Sequence, residues 1–298
     1  MQDMDAKARV LWWVLRLLGA LPLAGLQRLG AGLGWLSRRL GSREARVARR
    51  NIELCFPNLS ESERSALWRN NLAETGRTLT ETLRWWTHPA SSNLRHVTQV
   101  RGQDLLDEAL ASGRGVIIAA PHLGNWELLN QWLAQHSDLA IVYRPARRDW
   151  MNAVIQRGRG QPGVEQVAAE AAGVRTLFKR LKAGGMVGIL PDQQPKRGEG
   201  VFVPFFDIQA LTMSLLPRLA NRTGAVVLLA FAERLPDHAG FCIHLRATPA
   251  AIASDDTSVA AAALNQAIEA CIALAPAQYQ WSYKRFSMRP DGAEPPVY

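Results

Sequence analysis

The sequence predicts an α/β protein, in which a mostly parallel or mixed central sheet is flanked by helices and preceded by an apolar membrane helix. Two patterns along the 298 residues support this prediction. From residue 100 onward, short apolar runs alternate with helical segments, an order typical of a parallel sheet covered by helices. Before that, a Leu-, Trp- and Gly-rich stretch runs directly into a block of arginines. We expect an N-terminal membrane-associating helix over 1–42 and a single α/β domain over 43–298.

The apolar stretch, residues 10–40, is interrupted by Arg16, Gln27 and Arg28. Its uncharged run from 17 to 26 is ten residues long, whereas a straight span needs about 20 apolar residues. We therefore expect a helix that lies in, or partly enters, the bilayer surface, with its tryptophans at the interface and the arginines of 38–50 against an anionic leaflet. A single span with snorkelling arginines and an amphipathic helix packed on the domain are the alternatives.

Two helices are predicted between the apolar stretch and residue 100. The first covers 43–56 and ends before Pro57. The second covers 61–86, because Ser60 and Glu63 form a capping box and apolar positions recur at helical spacing.

In the α/β region, continuous apolar runs predict strands that are buried on both faces. These strands are 115–120, 139–144 and 186–192, and an antiparallel pair is predicted over 225–234 and 240–247. Helices are predicted over 128–135, 148–159, 174–185, 210–224 and 256–274, followed by a poorly ordered tail over 289–298.

Charge and cysteine content restrict the partners and the compartment. The net charge is +9, with a pI of about 10.1, which favours acidic partners such as nucleic acid, an anionic membrane surface or an acidic protein. The three cysteines are far apart in the sequence and form no C-x-x-C pair. A reduced, cytoplasmic setting is the simplest interpretation.

Polar residues follow three of the predicted strands, which places candidate chemistry at one edge of the sheet. They are His122, Arg144 and Asp192. The stretch "PHLGNWE" also sets Glu127 five residues after His122. Five residues of ideal helix separate two side chains by roughly 140°, so these two meet only if His122 lies in the turn before the helix, a bend that Gly124 permits. A carboxylate there would fix the imidazole tautomer and raise its basicity; a capping histidine beside an unrelated glutamate is the alternative.

The residues of this stretch resemble the motif of a known family. "PHLGNWE" is similar to the H-x4-E motif of the glycerolipid acyltransferase superfamily, and within it to the late, lauroyl- or myristoyl-type acyltransferases of lipid A biosynthesis. Other stretches resemble that family in the same order along nearly the whole chain. They are 51–64 (NIELCFPNLSESER), 143–145 (YRP), 158–159 (GR), 191–194 (PDQQ), 201–206 (VFVPFF), 275–281 (APAQYQW) and 284–290 (KRFSMRP).

The resemblance implies a function and residue roles. His122 would act as the general base on an acceptor hydroxyl and Glu127 as its orienting partner, since no serine or cysteine nucleophile lies nearby in the sequence. Arg159 would bind a phosphate or an oxyanion, and Asp192 would hold Arg159 or a sugar hydroxyl. Together with these two, Asn125 and Arg144 complete the expected substrate-binding set.

The same resemblance implies the partners and the place of the reaction. The acyl donor would be acyl-acyl carrier protein and the acceptor an anionic glycolipid, a lipid A precursor, with no metal, no organic cofactor and no nucleic acid involved. The enzyme would act at the bacterial inner membrane, with its catalytic domain on the cytoplasmic face. Two departures, Asp207 after two phenylalanines and "RPARRDW" without an Asn-Pro, bear on acyl-chain or acceptor specificity.

Other functions remain open from the sequence. An acyltransferase that acts on another glycolipid or a lysophospholipid would show the same motifs. A hydrolase could use His122, Glu127 and Asp192 to bind a metal or activate water, although the sequence has no H-E-x-x-H motif. A non-catalytic binder of membranes or nucleic acid would rely on the arginine block alone, without the aromatic interleaving that nucleic-acid binding favours.

Overall fold

The computed structural model describes residues 4–143, 145–146, 148–290 and 297–298. Its strands are β1 (Val97–Arg101), β2 (Val116–Ala119), β3 (Leu139–Tyr143), β4 (Val164–Ala168), β5 (Met186–Ile189), β6 (Gly200–Phe205), β7 (Ile208–Met213), β8 (Val226–Arg234) and β9 (Phe241–Ala247). Seven of them form one sheet in the order β1-β9-β8-β2-β5-β3-β4, and β6 pairs with β7 in a separate hairpin. Within the sheet every neighbouring pair is parallel except β8 and β9. The predicted mostly parallel, mixed sheet is therefore confirmed.

Helices pack on both faces of this sheet. They are α1 (Ala6–Gly19), α2 (Leu23–Arg39), α3 (Arg43–Cys55), α4 (Glu61–Thr87), α5 (Ala90–Asn93), α6 (Gln103–Ala111), α7 (Trp126–Leu133), α8 (Asp149–Arg159), α9 (Ala171–Lys182), α10 (Leu215–Thr223) and α11 (Thr257–Ile272). The capping box predicted for α4 is present, because the Ser60 hydroxyl accepts from the Glu63 N–H and the Glu63 carboxylate accepts from the Ser60 N–H.

The central strand β2 shows why its sequence is a continuous apolar run. All four of its residues are buried. Ile117 packs in the cluster that includes Ile268 of α11, whereas Ile118 packs in the cluster on the other face with Leu129 of α7. A strand covered on both faces has no solvent side, so the alternation of polar and apolar residues disappears.

The predicted helix over 210–224 is wrong in its first part, which forms β7 and pairs with β6 in antiparallel register. The two strands are joined by Phe206 and Asp207, whose φ angles are 51° and 60°. A two-residue hairpin turn requires positive φ at such positions, which few residues other than Gly, Asn and Asp adopt readily. The hairpin is held from outside by Asn265 of α11, which donates to the Pro204 carbonyl at 2.7 Å. This long-range contact has no signal in the local pattern.

The end of the chain is also anchored where it is described. Tyr298 donates its hydroxyl to Asn51 Oδ1 and packs against the core, which differs from the poorly ordered tail that was expected. Residues 291–296 of that tail lie outside the described residues.

The N-terminal apolar stretch forms two helices rather than the single helix expected. α1 and α2 are bent by 111° at the break between them. Among the described residues, no helix taken alone has the length and apolar character of a membrane span, and only the bent pair meets that test together. The break follows from Pro22, which forms the N-cap of α2 and cannot donate a backbone hydrogen bond.

One face of α2 packs closely along α4 through glycines. A Cβ atom at Gly34 would lie 2.1 Å from the Leu72 carbonyl oxygen, and one at Gly76 would lie 2.0 Å from the Gly30 carbonyl oxygen. The opposite face stays exposed and apolar. We call this exposed face, together with the exposed apolar residues of α1, the outer apolar face; its most exposed members are Val10, Trp13, Leu17, Trp35 and Leu40.

Candidate active site

His122 and Asp192 are brought together by the register of two parallel strands. Ala119 of β2 is paired with Ile189 of β5, and each candidate residue lies three positions beyond its strand. His122 Nδ1 is 2.9 Å from Asp192 Oδ1, and the His122 backbone N–H donates to Asp192 Oδ2 at 3.1 Å. The Asp192 side chain is 2% exposed and that of His122 is 15% exposed. A buried carboxylate thus holds a partly exposed imidazole by two hydrogen bonds.

The Asp192 carboxylate is kept ionised in this pair. Burial alone would raise the pKa of Asp192, but the charge and the two hydrogen bonds of His122 hold it below its ordinary value. An ionised Asp192 accepts the Nδ1 proton, which leaves Nε2 as the nitrogen able to accept another. His122 Nε2 lies 3.3 Å from the side-chain nitrogen Nε2 of Gln193. The His122 ring makes an edge contact with the ring of Trp126.

Glu127 makes a different ion pair from the one expected. Its carboxylate, 5% exposed, accepts from Arg159 Nε at 2.9 and 3.2 Å and from Arg159 Nη2. Burial would lower the pKa of Arg159, but Glu127 raises it above its ordinary value. The Arg159 guanidinium also lies 5.9 Å from the ring of Trp86. A partly exposed, permanently charged guanidinium is therefore fixed in place.

The structure corrects two predicted contacts. His122 is paired with Asp192 rather than with Glu127, and Asp192 holds His122 rather than Arg159. The reason is the position of Glu127 as the second residue of α7. Its side chain reaches α8, whereas His122 lies in the turn before α7 and reaches the segment that follows β5. The presence of His122 in a turn before the helix is confirmed.

Asn125 lies inside this turn, and its side chain is fully buried. Its Oδ1 accepts from the Leu128 N–H and caps α7, and its Nδ2 donates to Glu81 at 2.8 Å. Both polar ends are thus bound within the protein, and the expected contact of Asn125 with substrate stays a prediction. Gly124 has φ of 63°, and a Cβ atom there would lie 2.0 Å from the Ala232 carbonyl oxygen. Arg144 lies outside the described residues.

A segment near the C-terminus contributes residues that the sequence did not indicate as part of the site. The Gln280 N–H donates to the His122 carbonyl at 2.9 Å, and Gln193 donates to Gln280 Oε1 at 3.0 Å. Tyr279 is buried, and its pKa is raised by burial and by the neighbouring Asp192. These residues fall in the stretch 275–281, which resembled the family, but its spacing gave no role for them.

The chain is similar to known proteins over nearly its whole length. A model of the bacterial lipid A biosynthesis acyltransferases matches residues 8–288. The lipid A biosynthesis lauroyltransferase of Escherichia coli (strain K12) is 32% identical over 284 residues, 95% of this chain and 90% of that protein. The palmitoleoyltransferase of the same pathway and strain is 32% identical over 285 residues, again 95% and 90% of the two chains.

The chain also has a shorter match to an acyltransferase named for a different lipid. The phosphatidylinositol mannoside acyltransferase of Mycobacterium tuberculosis (strain ATCC 25618 / H37Rv) is 31% identical over 134 residues, 43% of this chain and 42% of that protein. The matches over nearly the whole length confirm the resemblance carried by the motifs and show that the protein is an acyltransferase. The chain belongs to the family of bacterial lipid A biosynthesis acyltransferases.

Proposed function

We propose that this acyltransferase moves a fatty acyl chain from the thioester of acyl-acyl carrier protein to a hydroxyl of a lipid A precursor, with His122 as general base. The observation that carries the proposal is the His122–Asp192 pair, a partly exposed imidazole whose Nδ1 is bound to a buried carboxylate. Such a pair supplies a base without supplying a nucleophile of its own. The attacking oxygen then belongs to the acceptor.

The reaction follows from this arrangement. His122 Nε2 takes the proton of the acceptor hydroxyl while the oxygen forms a bond to the thioester carbonyl carbon. The charge of Asp192, 2.9 Å from Nδ1, stabilises the imidazolium that results. The tetrahedral intermediate then collapses, the carbon–sulfur bond breaks, and the thiolate leaves with the proton from the imidazolium. The products are the ester and the free thiol of the carrier.

Arg159 is proposed to bind negative charge at the same site. Its Nε and Nη2 are occupied by Glu127, and its side chain is 23% exposed. A guanidinium with donors remaining suits a phosphate of the acceptor or the oxygen of the tetrahedral intermediate. Glu127 then acts through Arg159, by holding it, and not through His122.

The outer apolar face is proposed to bind the cytoplasmic surface of the bacterial inner membrane. Leu17 is 76% exposed and Leu40 is 74% exposed. The guanidiniums of Arg16 and Arg39 lie 5.2 and 5.4 Å from the rings of the exposed tryptophans of this face. Apolar and aromatic side chains beside arginines suit an anionic lipid surface, and the net charge of +9 suits an acidic carrier protein.

Mass spectrometry of the lipid product tests the reaction. Purified protein is incubated with acyl-acyl carrier protein and a tetra-acylated lipid A precursor, beside His122→Ala and the control His136→Ala, which removes an imidazole three residues after the end of α7. We expect a gain of one acyl group with the wild type and the control and none with His122→Ala. Near-wild-type turnover by His122→Ala would show that another group is the base.

Other acceptors are tested in the same way, because the chain also matches a phosphatidylinositol mannoside acyltransferase. The same incubation with phosphatidylinositol mannoside and with a lysophospholipid separates these acceptors by the mass of the product. Release of free fatty acid without any acylated lipid would instead favour the hydrolase.

Flotation with vesicles of phosphatidylethanolamine and phosphatidylglycerol tests membrane binding. We expect Leu17→Glu to weaken co-flotation, whereas Val259→Glu, at an exposed position of α11, serves as the matched control. Equal flotation of both variants and the wild type would contradict a role for the outer apolar face.

A further inference from the structure

A buried polar cluster adjoins the turn that carries His122. We call it the Glu81 cluster; its members are Gln27 of α2, Glu74, Thr78 and Glu81 of α4, Asn125 and Arg234 at the end of β8. Glu81 is fully buried and Arg234 is 6% exposed. Two carboxylates, a guanidinium, two amides and a hydroxyl thus share an interior site between four parts of the fold, which are α2, α4, the turn before α7 and the end of β8.

Arg234 is the cation of this cluster. Its Nε donates to Glu81 Oε1 at 2.6 Å, and its Nη2 donates to Glu81 Oε2 and, at 3.0 Å, to Thr78 Oγ1. Its Nη1 donates to Glu74. Burial would lower the pKa of Arg234, but Glu81 and Glu74 raise it above its ordinary value. The guanidinium therefore remains charged and bound to both carboxylates.

Stability alone is a poor explanation for such a cluster. Removing charges from water costs about as much as their attraction returns, and apolar replacements of the same volume are commonly as stable. What a buried ion pair does supply is a fixed geometry, since each oxygen must stay with its donors.

Glu81 fixes the turn between His122 and Glu127. Each of its oxygens accepts from Arg234 and from one amide, and on Oε2 that amide is Asn125 Nδ2 at 2.8 Å. The other end of Asn125 caps α7, while its backbone N–H donates to the Ala232 carbonyl at 2.8 Å. The orientation of Asn125, and with it the start of α7, depends on the carboxylate behind it.

The second amide comes from the helix that carries the outer apolar face. Gln27 Nε2 donates to Glu81 Oε1 at 2.8 Å, and Gln27 Oε1 contacts His238 in the connection between β8 and β9. Gln27 is buried on the inner face of α2. One carboxylate therefore contacts both the docked helix pair and the turn of the active site.

We propose that Glu81 is a positioning residue for acyl transfer, which holds the turn presenting His122 through its hydrogen bond to Asn125. Through Gln27, the same carboxylate makes the position of this turn dependent on the docking of α2. The inference rests on the proposed role of His122, but the hold on the turn exists without substrate and is measurable without it.

The experiment compares Glu81→Ala with the matched control Glu74→Ala. Both variants remove one carboxylate from Arg234, but only Glu81 contacts Asn125. Amide hydrogen exchange of the peptide covering 121–130 and steady-state transfer are measured at a temperature where both variants are folded. In Glu81→Ala we expect faster exchange in this peptide and a fall in kcat of about 10- to 100-fold, with KM changed far less. Glu74→Ala should keep the exchange of this peptide and most of kcat.

Equal effects of the two variants on the peptide and on kcat would overturn the proposal, because the cluster would then act only through stability. A wild type that transfers no acyl group would refute the proposed function, whereas the exchange comparison would still decide whether Glu81 holds the turn.

Asn125→Ser is the second variant, in case Glu81→Ala does not fold. Serine is as good an N-cap as asparagine, so α7 keeps its cap while the donor to Glu81 is lost. Faster exchange over 121–130 with a lowered kcat would support the proposal. Wild-type exchange and kcat would overturn it.

Discussion

Asp192→Asn gives the sharpest test of the site, because both carboxylate oxygens accept from donors of the same residue. Oδ1 faces His122 Nδ1 and Oδ2 faces the His122 backbone N–H. An asparagine has one oxygen and one NH2 group. If the NH2 faces the backbone N–H, two donors oppose each other; if it faces Nδ1, the imidazole proton moves to Nε2 and the base is lost.

The expected loss follows from this choice. The backbone N–H cannot change, so the amide oxygen stays with it and the imidazole adopts the wrong tautomer. In addition, the imidazolium formed during transfer loses a counter-charge at 2.9 Å. A wrong tautomer beside a neutral orienting group lowers kcat by roughly 10³- to 10⁴-fold, about 4–5.5 kcal/mol of transition-state stabilisation.

The assay is the initial rate of acyl transfer by Asp192→Asn, with the melting temperature measured beside it. Asp104→Asn, on the exposed surface of α6, is the control for loss of one carboxylate and should transfer at the wild-type rate. A folded Asp192→Asn that keeps more than about a tenth of the wild-type kcat would refute the reasoning, because a reduction below tenfold needs less than about 1.4 kcal/mol.

Three further predictions concern packing and pH. A Cβ at Gly158 would lie 2.4 Å from Trp86, so Gly158→Ala should shift the start of the Arg159 side chain and reduce the transfer rate by about tenfold or more; an unchanged rate would show that the ring yields instead. Gly34→Ala should lower the free energy of unfolding by about 1–3 kcal/mol because its Cβ atom would clash with α4, whereas Gly32→Ala should not, because no atom lies within 4 Å of a Cβ atom there. Urea unfolding of the two variants measures this, and equal midpoints would contradict close packing of α2. Because the folded-state pKa of Asp192 is depressed, its contribution to stability is present above about pH 4 and is lost as the pH falls through the folded-state pKa. The difference in unfolding free energy between wild type and Asp192→Asn should therefore shrink with acidification. A difference that grows would reverse the sign of the coupling.

The strands that the sequence revealed are those buried on both faces. β2, β3, β5 and β8, which are apolar along most of their length, and β9, whose first five residues are buried, were each predicted close to their observed positions. β1 and β4 were missed because they lie at the two edges of the sheet, where sequences such as VTQVR and VEQVA carry polar side chains on partly exposed faces. A run of apolar residues along the sequence indicates burial, so it predicts central strands and fails to predict edge strands that carry polar residues.

The site shows the same division. The sequence by itself determined which polar residues follow the strands, His122 and Asp192, and which histidine lies in a turn before a helix, because strand ends and helix caps are local features. Only the tertiary structure decided the partners. The register of β2 against β5 places Asp192 beside His122, the packing of α8 places Arg159 on Glu127, and α4 places Glu81 on Asn125. Each of these pairs joins residues at least 32 positions apart, and spacing along a chain carries no information about contacts at that separation, which depend on how whole elements pack.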